Sequence, residues 1–109
     1  MDGVREFLNN TCWDLNVIVS VRAGAKIGCI FRVEEFCLKR FECLKIFFGN
    51  EINPFIDGIK VCYCDYGQYG ATELVVKKYG CTVDKLLNKN FRIIFLDAGP
   101  TIAISAHKI

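Results

Sequence analysis

The sequence predicts an α+β domain, a small and mostly antiparallel sheet covered by a cluster of short helices. Three observations predict it. Two β-branched or apolar runs, "LNVIVSV" at 15–21 and "CIFRV" at 29–33, flank a glycine-bearing turn. From Glu34 the apolar spacing changes: Cys37, Leu38, Phe41, Leu44 and Phe48 follow i, i+1, i+4, i+7, i+11, one stripe of a helix. Later segments repeat that period, first Ala71, Leu74, Val75 and Lys78, then Phe91, Ile94, Phe95 and Ala98. Two strands alone are marginal in water, so helices laid over them would supply the missing burial.

In chain order, "VREFLNN" at 4–10 places Val4, Phe7 and Leu8 on one face of a short helix or arm. The strand 15–21, the turn "RAGAKIG" and the strand 29–33 form a hairpin, and Glu34-Glu35 sit where negative charge favours a helix start. Gly49-Asn50 stops that helix, and Phe47, off its stripe, reads as satellite core. Residues 50–58 make a loop around Pro54 and Gly58. A third strand, "IKVCYCD" at 59–65, puts Ile59, Val61 and Tyr63 on one face. After the turn "YGQYG", "ATELVVKKYG" reads as a helix ending at Gly80. Thr82 is placed to cap "VDKLLNK" and Asn90 to cap "FRIIFLDA", which Gly99-Pro100 ends. "TIAISAHKI" reads as a strand or a frayed end. One domain over 1–109, with its core at about 14–103, accounts for the length.

Hydrophobic residues make up 52% and charged residues 24% of the 109, the composition of a globular chain. The net charge of +2 and the scattered basic residues argue against nucleic acid. No apolar run reaches the ~20 residues of a membrane span, and the charged start "MDGVREFLNN" lacks a leader's apolar core. The expected location is therefore cytoplasmic or nuclear. The seven cysteines are odd in number and suit a reducing compartment, as small buried apolar residues. Cys62 and Cys64 share a strand face and should pack inward; without a second cysteine pair they make no zinc site. Asn9-Asn10-Thr11 spells a glycosylation triplet, read as chance.

Taken with its spacing, the chain resembles a BTB/POZ domain. Asp14 precedes "LNVIVSV"; Phe31, Val33 and Leu38 match the family's second-strand pattern; "FECLKIFF" follows with one residue deleted. Further on, Tyr79-Gly80, Asp84, Leu86-Leu87, Asn90, Ile94 and Ala98 stand in the family's order, so the resemblance spans about 4–103. Glu34-Glu35 replace the usual His-Lys, and the second helix lacks its usual Ser. The resemblance implies an interaction module that forms a homodimer or higher oligomer. It also implies service as a cullin-type ubiquitin-ligase adaptor, or competition with longer relatives. The dimer contacts carried over are Val4, Phe7, Leu8 and Phe36. The cullin-facing positions are Phe48, Asn50, Glu51, Tyr66 and Tyr69, with Gly49 standing where the family has an apolar residue.

Thirteen per cent aromatics, including nine phenylalanines, supports an interface independently, because aromatic anchors concentrate binding energy. Chemistry finds no footing. His107 lies in the tail, adjacent Glu34 and Glu35 point apart, and no phosphate loop appears, so no enzyme, cofactor or metal is expected. The alternative is a ubiquitin-like β-grasp module in the C-terminal half, with 71–78 and 91–97 as strands flanking the helix "VDKLLNK".

Overall fold

The computed structural model describes residues 3–64 and 71–107. It is a sandwich of two four-stranded sheets. The elements are β1 (Val4–Asn10), β2 (Leu15–Arg22), β3 (Ile30–Leu38), β4 (Cys43–Phe47), β5 (Ile56–Tyr63), β6 (Thr72–Val75), α1 (Thr82–Asn88), β7 (Arg92–Ala98) and β8 (Thr101–His107). Sheet I has the order β4-β1-β7-β8 and sheet II the order β3-β2-β5-β6. All pairings are antiparallel except β1 with β7, which is parallel.

This overturns the expected α+β cluster of short helices: of the described residues 56% are strand and 7% helix, in one short segment. The region 34–48 shows why. Its apolar residues fit a second period as well: Phe36 and Leu38 face inward from β3, Leu44 and Ile46 from β4, and Phe48 is buried. All are even-numbered, the alternation of strands. Between them Lys39–Glu42 turn the chain without Gly, Pro or Asn. The Glu42 N–H donates to the Lys39 carbonyl at 2.9 Å, the Glu42 carboxylate accepts the Lys39 N–H, and Phe41 takes a φ of 59°. Phe47 is 70% exposed rather than satellite core.

The segment 4–10 is a strand for a related reason. Its inward face is Arg5, Phe7 and Asn9, all buried, so two polar residues hide the alternation. Segments 71–80 and 91–98 hold β6 and β7, with Leu74 and Val76, then Ile93 and Phe95, turned to the core. The outward Ile94 and Leu96 of β7 are apolar too, and such a run satisfies either period. The strands expected at 15–21 and 59–65 form as β2 and β5, with Ile59, Val61 and Tyr63 buried together, but β5 starts at Ile56, inside the segment expected as a loop. The helix within 82–89 forms, but its N-cap is Cys81, with no side-chain cap bond, rather than Thr82. The β-grasp alternative has its strands and helix in the right places. However, β5-β6 lie in sheet II and β7-β8 in sheet I, not in one sheet.

One apolar cluster fills the space between the sheets. Phe7 stacks on Phe95 at 6.4 Å and meets Phe36 at 5.2 Å, joining β1 and β7 of sheet I to β3 of sheet II. Each such fully buried side chain contributes about 1.5–3 kcal/mol. Where the chain enters β1 it runs against the end of β4: the Gly3 carbonyl accepts the N–H groups of Phe48 and Gly49. A Cβ on Gly3, at φ 73°, would fall 2.4 Å from the Gly49 carbon.

Candidate protein-interaction surface

Each sheet has two edges, and the two flanks of the sandwich treat them differently. On one flank β6 and β8 meet: the Thr72 hydroxyl donates to the Ile102 carbonyl at 2.6 Å and lies 2.9 Å from the Thr101 hydroxyl. Helix α1 packs on the same molecule through a buried polar network. Arg22, 2% exposed, donates from Nε to Asp57 at 3.0 Å and from Nη2 to Asp84 on α1 at 3.2 Å. Its guanidinium lies over the rings of Phe55 and Tyr79. Asn88 caps the start of β5 twice over, accepting the Ile56 N–H at 2.7 Å and donating to the Ile56 carbonyl at 2.9 Å. Arg5 reaches the Leu87 carbonyl and the Asn88 side chain, over the Phe48 ring. Burial pulls the Arg5 guanidinium down to about 10. Burial would raise the Asp84 carboxyl, but the Gly80 N–H, Asn88 and Arg22 together hold it below its ordinary value. Nothing buried in this network lacks a hydrogen bond among the described residues. It is a fastening, with its charges already matched. The crevice of about 210 Å³ beside it is lined by the same Arg22, Phe55, Tyr79 and Asp84.

The other flank carries β3, at nine residues the longest edge strand among the described residues. Its C-terminal half is anchored by Phe36 and Leu38. In its N-terminal half Ile30 (47%), Phe31 (45%), Arg32 and Val33 (58%) are all exposed, and Arg32 pairs with Glu34 on the same face. An exposed row of unpaired backbone groups with apolar side chains is a template for another strand.

The outer face of sheet II continues from this edge in rows across the strands. Val33, Ser20, Gly58 and Val75 form one row; Glu35, Ile18, Lys60 and Glu73 form the next; Cys37, Asn16 and Cys62 form a third. In the first row two valines stand over small central residues. The result is a shallow groove of about 150 Å³ with Ile18, Ile30 and Val75 as walls. Gly58 cannot be enlarged freely, since a Cβ there would come within 3.2 Å of the Leu74 carbonyl oxygen.

The described residues that the resemblance nominated are divided between core and surface. Phe7 is fully buried and Phe36 packs on it, so both are core. Val4 and Leu8 point the other way, half-buried on the outer face of β1 near Phe47. Phe48 is buried. Asn50 is exposed but occupied: its Oδ1 accepts the N–H groups of Ile52 and Asn53, holding the turn that carries Glu51. Tyr66 and Tyr69 lie outside the described residues. The segments 34–48 and 71–80, expected as helices, hold the end of β3, β4 and β6.

The cysteines also depart from expectation. Cys12, Cys37, Cys43 and Cys64 are exposed, the other three half-buried, and Cys62 faces outward. Asn9, first residue of the glycosylation triplet, is buried and donates to the carbonyls of Trp13 and Leu38. Among the described residues no cluster of three or more His, Cys, Asp or Glu is placed to hold a metal ion. No helix is long and apolar enough to cross a membrane. What the sequence reading missed is Arg22, taken as the first residue of a turn, and the β3 edge, hidden by the assignment of 34–48 to a helix. No protein family, no curated protein and no solved structure matches the chain.

Proposed function

We propose that this chain is a β-sandwich interaction module that self-associates by pairing β3 with β3 of a second copy. The observation that carries the reading is the order of residues along that edge. In an antiparallel pairing about a two-fold axis at Val33, Val33 faces itself and Arg32 faces Glu34 of the second copy, twice. Ile30 faces Phe36. Oppositely charged cross-strand pairs are favourable and like-charged pairs are not, so the same edge rejects acidic or basic strands in general. A two-fold contact is self-complementary by construction. The row Val33–Ser20–Gly58–Val75 then continues into its own copy, giving one eight-stranded sheet.

Light scattering across a dilution series tests this. The chain of 12.4 kDa should give twice that mass at high concentration and fall toward it on dilution. Val33→Lys, which sets two ammonium groups against each other, should weaken association by at least about tenfold. A strict monomer throughout, or an unchanged dimer in Val33→Lys, would overturn the assignment.

A further inference from the structure

We propose that Cys37 and Cys64 form a dithiol that closes to a disulfide by exchange with a small-molecule disulfide of the glutathione type. Their Sγ atoms lie 3.7 Å apart, one thiol donating to the other, although Cys37 is on β3 and Cys64 just follows β5. Central strand β2 separates those strands in the sheet. The two side chains meet beside its first residues, where the Cys64 N–H donates to the Asp14 carbonyl at 3.0 Å. Both residues are exposed, so an oxidant reaches them and substitution leaves the core untouched. Closing the bond needs the sulfurs to approach by about 1.7 Å, to ~2.05 Å, and the two Cα atoms to come within ~7 Å, so the backbone at Cys64, just past the end of β5, has to move toward β3.

The surroundings set the order of events. Partial desolvation of its sulfur, then Cys37, Asp14 and Cys62, push the Cys64 thiol up to about 12, so it keeps its proton at neutral pH. Cys37 therefore attacks first. Its sulfur bonds to one sulfur of the oxidised tripeptide, whose S–S bond breaks; one glutathione leaves and takes the Cys37 proton. Cys64 then attacks the Cys37 sulfur, giving its proton to the second departing glutathione. Two protein thiols are oxidised and one glutathione disulfide is reduced to two thiols. Cys62, on the same face, directs its sulfur to the Asn16 carbonyl at 3.9 Å instead and takes no part. The bridge would lock β3 to the end of β5 across β2, stiffening sheet II whether or not β3 pairs with a second copy.

The full native chain, equilibrated in glutathione redox buffer and acid-quenched, should have lost two hydrogens in intact mass before alkylation. Peptide mapping should find Cys37 linked to Cys64 and five alkylated cysteines. Cys62→Ser should behave identically. Cys64→Ser should instead hold one glutathione on Cys37, and the upward shift in Tm on oxidation should vanish with it. Seven alkylated thiols from the native chain, or a link through Cys62, would overturn the proposal.

Discussion

The two flanks of this sandwich solve one problem in opposite ways. Where β6 meets β8, a threonine hydroxyl bridges the sheets, and Arg22, Asp57, Asp84 and Asn88 bolt helix α1 to the fold. Where β3 ends sheet II, apolar side chains and backbone face solvent. A chain of this size has too little material to cover every edge. What it covers is structural, and what it leaves open is where a partner gains most.

Substitutions on the two flanks should therefore separate cleanly in urea unfolding. Arg22→Ala should be the most damaging, costing about 3–5 kcal/mol, because Asp57 stays buried without its cation. Asn88→Ala should cost about 2–3 kcal/mol by stranding the backbone groups of Ile56. On the open flank, Arg32→Ala should cost under about 0.5 kcal/mol, since it removes one exposed ion pair. Equal losses from Arg22 and Arg32 would erase the distinction.

Titration should sharpen it further. Asp84, and Glu6 held low chiefly by Arg92, take up protons more readily when unfolded. The stability they contribute is complete above their ordinary values of 3.8 and 4.5 and is lost as the pH falls below them. Cys64 works in the other direction. Its proton is held more tightly when folded, so stability declines as the pH rises from 9.0 toward about 12. Unfolding midpoints against pH should show both slopes, and Cys64→Ser should flatten the alkaline one. An unaltered alkaline slope would place its cause elsewhere.

A smaller effect belongs to the turn that joins the flanks' sheets. Phe41, 62% exposed at φ 59°, sits in a conformation that costs an L-residue about 1 kcal/mol. Phe41→Gly should raise stability by up to about that amount. A loss would mean the ring contributes more than its exposure suggests.

Phe41 also explains how far the sequence could be read. The runs at 15–21 and 59–63 were legible because Leu15, Val17, Val19 and Val21, then Ile59, Val61 and Tyr63, alternate with more polar neighbours. Helix α1 was legible from its short run of good helix formers. Strand β1 was not, because Arg5 and Asn9 occupy its inward positions, their burial made possible by partners remote in sequence such as Leu87 and Leu38. The β3–β4 turn was not, because Lys-Arg-Phe-Glu contains none of the usual turn residues. Missing that turn fused two strands into an apparent helix and placed Phe36 at its start. The β3 edge could have been found by testing 30–38 for alternation beyond Val33. The Arg22 network gave no local signal, since Asp57, Asp84 and Asn88 are remote in sequence.

The most direct test of pairing through β3 uses two charge variants, Arg32→Glu and Glu34→Arg. Each alone places like charges opposite one another, so each should be monomeric by light scattering. Mixed in equal amounts they should form a heterodimer. The introduced glutamate of the first variant then faces the introduced arginine of the second, while the native Glu34 of the first faces the native Arg32 of the second. The intrachain Arg32–Glu34 pair is not restored by mixing, so only contact between copies can produce that result. Two variants that dimerise alone as the parent does, or a mixture that stays monomeric beside a dimeric parent, would contradict the account.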